Sequence, residues 1–425
     1  MSEIKALQNF LDNSHSSYHA VANLAAQLTE AGYTRLTEKE AWELIPGGKY
    51  FLVRGGTAII AFRIPEGEPT GFMMSASHSD RPTFKVKENA ESVGAYTKML
   101  VERYGGMLIS TWLDRPLSIA GRVVVETEKG VQVKLVDIDR DLLMIPNVAI
   151  HMNRNANDGY KWNPATDTLP LMGSKEAKGK LNAILEEAAG GKILGHDMYL
   201  YIRQNSSIWG LNEEYISSAA LDDLECAWAC TQGFLAAPET SAIPVLCVFD
   251  NEEVGSSSAA GAAGDLLESV LVRICEAREL DIFRLLANSF MVSADNGHAL
   301  HPNHPELADA ANAPILGGGV VIKFNASQRY CTDGFSAAVF RRICNRADVP
   351  TQTYCNRADI AGGSTLGNIS LHHVSVPTID IGVAQLAMHS CYETGSVADA
   401  IHLKNALAAF YGSVLADDGE GCAIL

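Results

Sequence analysis

Three continuous apolar runs stand out along the chain, and each ends in residues that bind metals or move protons. GFMMSAS (71–77) runs into His78-Ser79-Asp80. IPVLCVF (243–249) runs into Asp250-Asn251-Glu252-Glu253. SFMVSA (289–294) runs into Asp295-Asn296-Gly297-His298. Apolar runs bounded by polar residues predict strands buried on both faces, as in a parallel sheet. In open α/β sheets, ligands bind just beyond the carboxyl ends of strands. Three strands therefore deliver carboxylates and imidazoles to one sheet edge. That pattern points to a metal-dependent enzyme rather than a binding module.

The rest of the pattern frames this centre. Residues 3–31 read as helix, with Tyr18, Val21, Leu24 and Leu28 at spacings of three and four and Gly32 at the C′ position. YFLVRG and TAIIAFRI predict strands. From about 88 to about 218 the texture changes. LSIAGRVVVETEKGVQVKLVDID alternates around Glu128-Lys129-Gly130 and predicts a β-hairpin. NVAIHMNR and DMYLYIRQ are further strand candidates, and 155–195 reads as mostly loop. The α/β texture resumes with helical LDDLECAWACTQGFL. A closely packed helix start at 255–261, strand GGGVVIKFN, a helix near 333–348, strand PTIDIGV and a last helix near 396–415 follow. The tail ADDGEGCAIL reads as frayed. The expected fold class is α/β: residues 1–88 and 219–425 form one domain, and 89–218 an inserted, β-rich one. At 425 residues, two domains are the default expectation.

Composition narrows the partners. A formal net charge of −17 repels phosphate backbones, which argues against nucleic acid. No stretch reaches the roughly 18 apolar residues of a membrane span. MSEIKALQNFLDNSH has no basic region followed by an apolar one, so a cytoplasmic location is expected. The nine cysteines include no CxxC pair and all lie after residue 225. They read as reduced, mostly buried thiols rather than a zinc ribbon or redox pair. Gly317-Gly318-Gly319 and Gly362-Gly363-Ser364-Thr365 lack the lysine of a phosphate-binding loop and the spacing of a dinucleotide fingerprint. No Gly-x-Ser-x-Gly nucleophile motif is present.

The chemistry concentrates in a few positions. In extended chain, His78 and Asp80 face the same side, so Asp80 can hold one ring nitrogen while the other binds metal. Asp222-Asp223 opens a helix; such a pair complements a helix dipole, or Asp222 bridges two metals. Adjacent Glu252 and Glu253 at a strand end diverge, so one can ligate metal while the other serves as general base. Asp295 repeats the pattern, with His298 and His301 nearby, and His389 supplies a second imidazole. His78, Asp222, Glu253, Asp295 and His389 thus form a ligand set for a pair of divalent ions. Zinc suits it, and manganese or cobalt also fit.

These motifs, in this order, resemble the co-catalytic metallo-aminopeptidases, and more narrowly the aspartyl aminopeptidase family. The matching stretches are His78-Ser79-Asp80, LDDL at 221–224, DNEEVGS at 250–256, SADNGHALHPN at 293–303, IKFNASQRY at 322–330, GGSTLG at 362–367 and QLAMHS at 385–390. The resemblance implies a mixed sheet sandwiched by helices, of phosphorylase/hydrolase-like type, interrupted by a β-rich dimerisation domain. It implies removal of N-terminal residues, acidic ones in some members, and assembly into tetrahedral dodecamers built from dimers. One ion would take His78, Asp222 and Asp295, and the other Asp222, Glu253 and His389. Glu252 would be the base and Asp80 the orienting carboxylate. His151 would reach a neighbouring subunit's site, and Lys323 and Tyr330 would line the substrate pocket. A desolvated Lys323 would favour an acidic side chain there. The chain departs from the family at Asp223, usually asparagine, and at Arg81, usually serine. The alternatives are another two-metal amide hydrolase, such as a deacylase or carboxypeptidase, and a non-catalytic assembly protein on this fold.

Overall fold

The computed structural model describes residues 2–363, 365–417 and 421–425. Its centre is a nine-stranded mixed sheet. From edge to edge the strands are Thr34–Arg35, Lys49–Arg54, Ala58–Arg63, Ile243–Phe249, Phe72–His78, Phe290–Ala294, Thr378–Gly382, Val320–Phe324 and Thr351–Cys355. The three apolar runs are neighbours in the middle. Phe72–His78 pairs in parallel with Ile243–Phe249 on one side, which sets Phe249 opposite His78, and with Phe290–Ala294 on the other. Their carboxyl ends therefore emerge together.

These strands read as unbroken apolar runs because both faces are covered. Successive residues point to opposite layers. Met73, Leu246 and Val292 pack beneath the helices Leu221–Ala236, Gly334–Arg346 and Val397–Tyr411. Met74, Val245 and Met291 pack on the other face, with Leu271 and Ile274 of helix Leu266–Arg278. Each such side chain contributes about 1.5–3 kcal/mol by leaving water. This is the helix-sandwiched mixed sheet that was expected.

A second, six-stranded sheet is antiparallel throughout and lies within residues 83–202. It has its own core, including Phe84, Trp112, Ile119, Val123, Met198 and Leu200. The predicted hairpin is there: Leu117–Thr127 pairs with Gly130–Asp137 and closes at Thr127 opposite Gly130. No helix among the described residues is long and apolar enough to cross a membrane.

Several local expectations are corrected. The single helix over 3–31 is two, Glu3–Asp12 and Ser17–Glu30; the Ser16 side chain caps the second and so breaks the first. NVAIHMNR is not a strand but part of a loop. Val148, Ile150 and Met152 alternate as strand residues do, yet are exposed and have no ladder to join. Residues 155–195 are not mostly loop. They include the helix Lys180–Ala189, whose Leu181, Leu185 and Ala189 fall on one buried stripe behind a polar surface. Residues 255–261 form turns, and the helix starts only at Leu266. The tail is partly ordered, with Leu415–Asp417 paired to Cys422–Ile424. Of the GGSTLG stretch, Ser364 lies outside the described residues, as do Asp418, Gly419 and Glu420 of the tail.

Candidate active site

His78 is the last residue of its strand and is buried. Its Nδ1 faces Asp80 at 3.2 Å, both the carboxylate Oδ1 and the backbone carbonyl. Nε2 is left pointing at Asp222 Oδ1, 3.4 Å away. The other oxygen, Asp222 Oδ2, lies 3.4 Å from His389 Nε2. Asp222 thus sits between two imidazoles, one oxygen toward each. Glu253 Oε2 closes on the same His389 nitrogen at 3.5 Å. His78, Asp222, Asp223 and Asp295 form one group whose donor atoms lie within 4.8 Å of one another, and Asp222, Glu253 and His389 form another. The structure therefore brings together all five sequence-derived ligand candidates, and adds Asp223.

Asp222 and Asp223 are not an exposed helix cap. Both are buried, and neither has helical backbone angles although they open Leu221–Ala236. The Asp223 carboxylate accepts the His78 backbone N–H at 3.1 Å.

Glu252 and Glu253 sit in a 3₁₀ turn just beyond their strand. Asp80 fixes that turn: Oδ1 accepts the Glu252 N–H and Oδ2 the Glu253 N–H, each at 3.1 Å. The Tyr104 hydroxyl also donates to Asp80 Oδ2, at 2.7 Å. One carboxylate thus orients the His78 ring and holds both glutamates.

The charges in this cluster are strongly coupled to burial. Burial disfavours the Asp222 charge, yet His389 and His78 hold its carboxyl below the usual carboxylate range. Burial, reinforced by Asp295, Asp222 and Asp80 and opposed by His78, pushes Glu252 up to about 8. Burial and Asp222 hold Glu253 well above its ordinary value. Burial lifts Asp295 to about 6 against the pull of Lys323.

The residues fit divalent ions. Among the described residues, buried Asp222 Oδ1, Asp223 Oδ1 and Glu253 Oε1 have no hydrogen-bond partner. Buried polar atoms are normally satisfied, so carboxylate oxygens left in this state call for a cation. A donor set of imidazole nitrogen and carboxylate oxygen is that of zinc, manganese or cobalt.

This arrangement predicts a pH signature for the ion-free protein. Glu252, Glu253 and Asp295 have folded-state pKa values raised above their unfolded ones. The folded state then binds more protons, and stability falls as pH rises from about 4 through about 8. Depressed Asp222 acts oppositely, but only as pH drops below about 4. The chelated protein is expected to melt at a lower temperature at pH 8.5 than at pH 5.5, and added divalent ion to narrow the gap. Equal midpoints in the chelated protein would contradict this.

A cavity of about 310 Å³ opens onto the cluster, lined by Glu252, Asp295, His298, Lys323, Tyr330 and Thr365 among others. Lys323 is 1% exposed. Its Nζ donates to the Asp295 backbone carbonyl at 2.7 Å, lies 3.6 Å from Asp295 Oδ2 and 5.1 Å from the Tyr330 ring centre. Burial opposes its charge, but Asp295, Tyr330 and Asp380 hold its pKa above the ordinary lysine value. His151 is elsewhere, on the exposed loop that contains Ile150 and Met152, and does not line this cavity. Nor does His301.

Four residues escaped the sequence reading. Asp223 was treated as a helix-cap companion. Tyr104 comes from the six-stranded unit, far away in the chain. Asp380 is a charged residue inside the apolar PTIDIGV run, which was a usable signal, since lone charges are rarely buried without partners. It accepts hydrogen bonds from Cys331 N and Thr365 Oγ1 and so ties down both sides of the cavity around Tyr330. Glu393 gives no sequence signal; it accepts the backbone N–H of Asp222 at 3.0 Å and of His389 at 2.7 Å.

Comparison with known proteins identifies the family. The family model described as aminopeptidase I zinc metalloprotease (M18) matches residues 10–411. The chain is 42% identical to a probable M18 family aminopeptidase 2 of Clostridium acetobutylicum, over 96% of this chain and 98% of that one. It is 38% identical to one from Pseudomonas entomophila, over 96% and 97%. Among solved structures it is similar to Ape4 in its complex with Nbr1, with a TM-score of 0.92, 35% identity, and 96% and 85% of the chains covered. It is also similar to the S. cerevesiae mApe1 dodecamer, with a TM-score of 0.85, 26% identity and 96% of each chain covered. The chain belongs to the M18, or aspartyl aminopeptidase, family and is a metallo-aminopeptidase, a hydrolase of peptides.

Proposed function

We propose that the chain removes N-terminal residues, preferentially Asp or Glu, using two divalent ions, most simply zinc. One is held by His78, Asp222 and Asp295 and the other by Asp222, Glu253 and His389. The observation that carries this reading is Asp222 itself, whose two oxygens each face a different imidazole at 3.4 Å. Ions bound there would activate water and polarise the scissile carbonyl. Glu252, on the cavity wall beside Glu253, takes the proton from the attacking water and returns it to the leaving amine. Asp80 keeps Glu252 aimed through its backbone N–H and fixes the His78 ring by holding Nδ1.

The acidic preference rests on Lys323. An ion held by Asp295 offsets that carboxylate's charge, which leaves the buried ammonium free to attract a substrate carboxylate. Wild-type protein is expected to show higher kcat/KM on N-terminal Asp or Glu than on Leu or Ala. Lys323→Met should erode that ratio more than it erodes turnover of neutral residues. Fastest turnover of Leu by the wild type would reject the acidic preference alone.

We further propose that the chain assembles as the mApe1 dodecamer does, in a tetrahedral arrangement of dimers joined through residues 89–218. Val131, Val133 and Leu135 form an exposed apolar stripe on the edge strand Gly130–Asp137, and Val148, Ile150 and Met152 are exposed nearby in sequence. Such unpartnered apolar surface suits contact between copies. His151 on that loop would then complete a neighbour's site. Mixing inactive His151→Ala and inactive Glu252→Gln chains should restore activity as subunits exchange. A fully active monomer by light scattering would refute the assembly.

A further inference from the structure

We infer that Glu393 is a positioning residue that holds two of the proposed ligands, Asp222 and His389, in register for the ion they share with Glu253. This rests on the two-ion reading above. The Glu393 side chain is buried, and its two oxygens divide between the ligands: Oε2 accepts Asp222 N–H at 3.0 Å and Oε1 accepts His389 N–H at 2.7 Å. The contact is to backbone, so it sets where each ligand's Cα lies and in which direction its side chain leaves.

Both ligands need such help. His389 has φ +66° and Ala387 φ +56°, left-handed backbone that non-glycine residues seldom adopt. Such conformations persist only where surroundings over-determine them. The Asp222 backbone is likewise non-helical at the mouth of a helix. Glu393 is itself firmly placed. It begins the strand Glu393–Ser396, which pairs antiparallel with Tyr215–Ser218, Ser218 opposite Glu393. The chain runs from Ser218 directly into Leu221 and Asp222, and from His389 directly into Glu393. Two adjacent strands thus enter and leave the centre, with this carboxylate joining them. The cavity beneath Asp222 is shared by Glu393 and Arg81, whose guanidinium donates to the Ser14 and His15 carbonyls.

Loss of Glu393 should act unequally on the two ions. The ion of Asp222, Glu253 and His389 loses the placement of two of its three ligands. The other loses only the placement of Asp222 and keeps His78, which Asp80 holds, and Asp295, which directly follows its own strand. Partners that orient metal ligands typically contribute 10–100-fold in affinity.

Asp399 supplies a control of the same chemistry. It is a buried carboxylate that accepts two backbone N–H groups, from Gly317 and Gly319, neither a ligand. Metal-stripped wild type, E393Q and D399N would be titrated with zinc against a chromophoric chelator, with thermal unfolding of the stripped proteins alongside. The wild type should bind two ions. E393Q should bind one ion less than about tenfold more weakly than the wild type and the second about 10–100-fold more weakly. D399N should lower the unfolding midpoint but leave both zinc affinities unchanged. If E393Q fails to fold, E393D, which keeps the carboxyl group but withdraws its oxygens, is expected to show the same selective weakening. Wild-type affinity for both ions in the folded Glu393 variant, or equal weakening in D399N, would overturn the positioning role. A wild type that binds fewer than two ions would instead overturn the two-ion reading.

Discussion

Exhaustive chelation is expected to abolish peptide hydrolysis, and added zinc, manganese or cobalt to restore it. The loss should be at least about a thousandfold, since the several kcal/mol of charge stabilisation that ions supply correspond to about one decade per 1.36 kcal/mol. The chain's own groups cannot compensate. The cavity is walled by carboxylates whose buried oxygens at Asp222 and Glu253 lack hydrogen-bond partners. Without cations the buried Asp222 carboxylate offers nothing to stabilise the negative charge that develops on the carbonyl oxygen of a peptide. Elemental analysis should find about two ions per chain in the active protein. Full activity in protein shown to contain no metal would remove the two-ion reading.

Glu252→Gln should lower kcat by about 10²–10⁴-fold, the usual contribution of general acid–base catalysis. Fold and metal content should be retained. Two adjacent glutamates are separated here by where their side chains end. Glu253 Oε2 lies 3.5 Å from His389 Nε2. The Glu252 side chain is grouped with His78 and Glu253 but not with Asp222 and His389. Both backbones are pinned by Asp80, so an isosteric amide at either position should leave the turn intact. Glu253→Gln should therefore weaken metal binding as well as rate. Metal loss in the Glu252 variant with full retention in the Glu253 variant would reverse the two roles.

The centre was legible in the sequence because a strand buried on both faces has a distinctive signature, and because such strands end where ligands bind. His78, Glu252, Glu253 and Asp295 follow from that logic alone. Asp222 was ambiguous, since an acidic pair at a helix start has an ordinary electrostatic explanation; only its burial between two imidazoles distinguishes it. Glu393, which acts through backbone contacts, left no trace. It is a single glutamate in CYETGS, and its hydrogen bond from Asp222, 171 residues away in the chain, depends on strand pairing. NVAIHMNR failed for another reason. Apolar alternation reports a surface that wants covering, and it does not say whether a sheet of the same chain will do so.

The six-stranded unit reaches further into the catalytic machinery than its separate core implies. Tyr104 ends one of its strands and donates to Asp80, while Leu108 N–H is accepted by the His389 carbonyl at 3.0 Å. Between them Gly105, at φ +75°, lies so close to Glu253 that an added Cβ would sit 3.1 Å from the glutamate's own. Trimming residues 83–202 to obtain a minimal peptidase would therefore remove the hydroxyl that holds Asp80 and the backbone that backs Glu253 and His389. For the same reason, a small molecule that pried residues 104–108 away from the sheet edge would be an inhibitor that never competes with peptide.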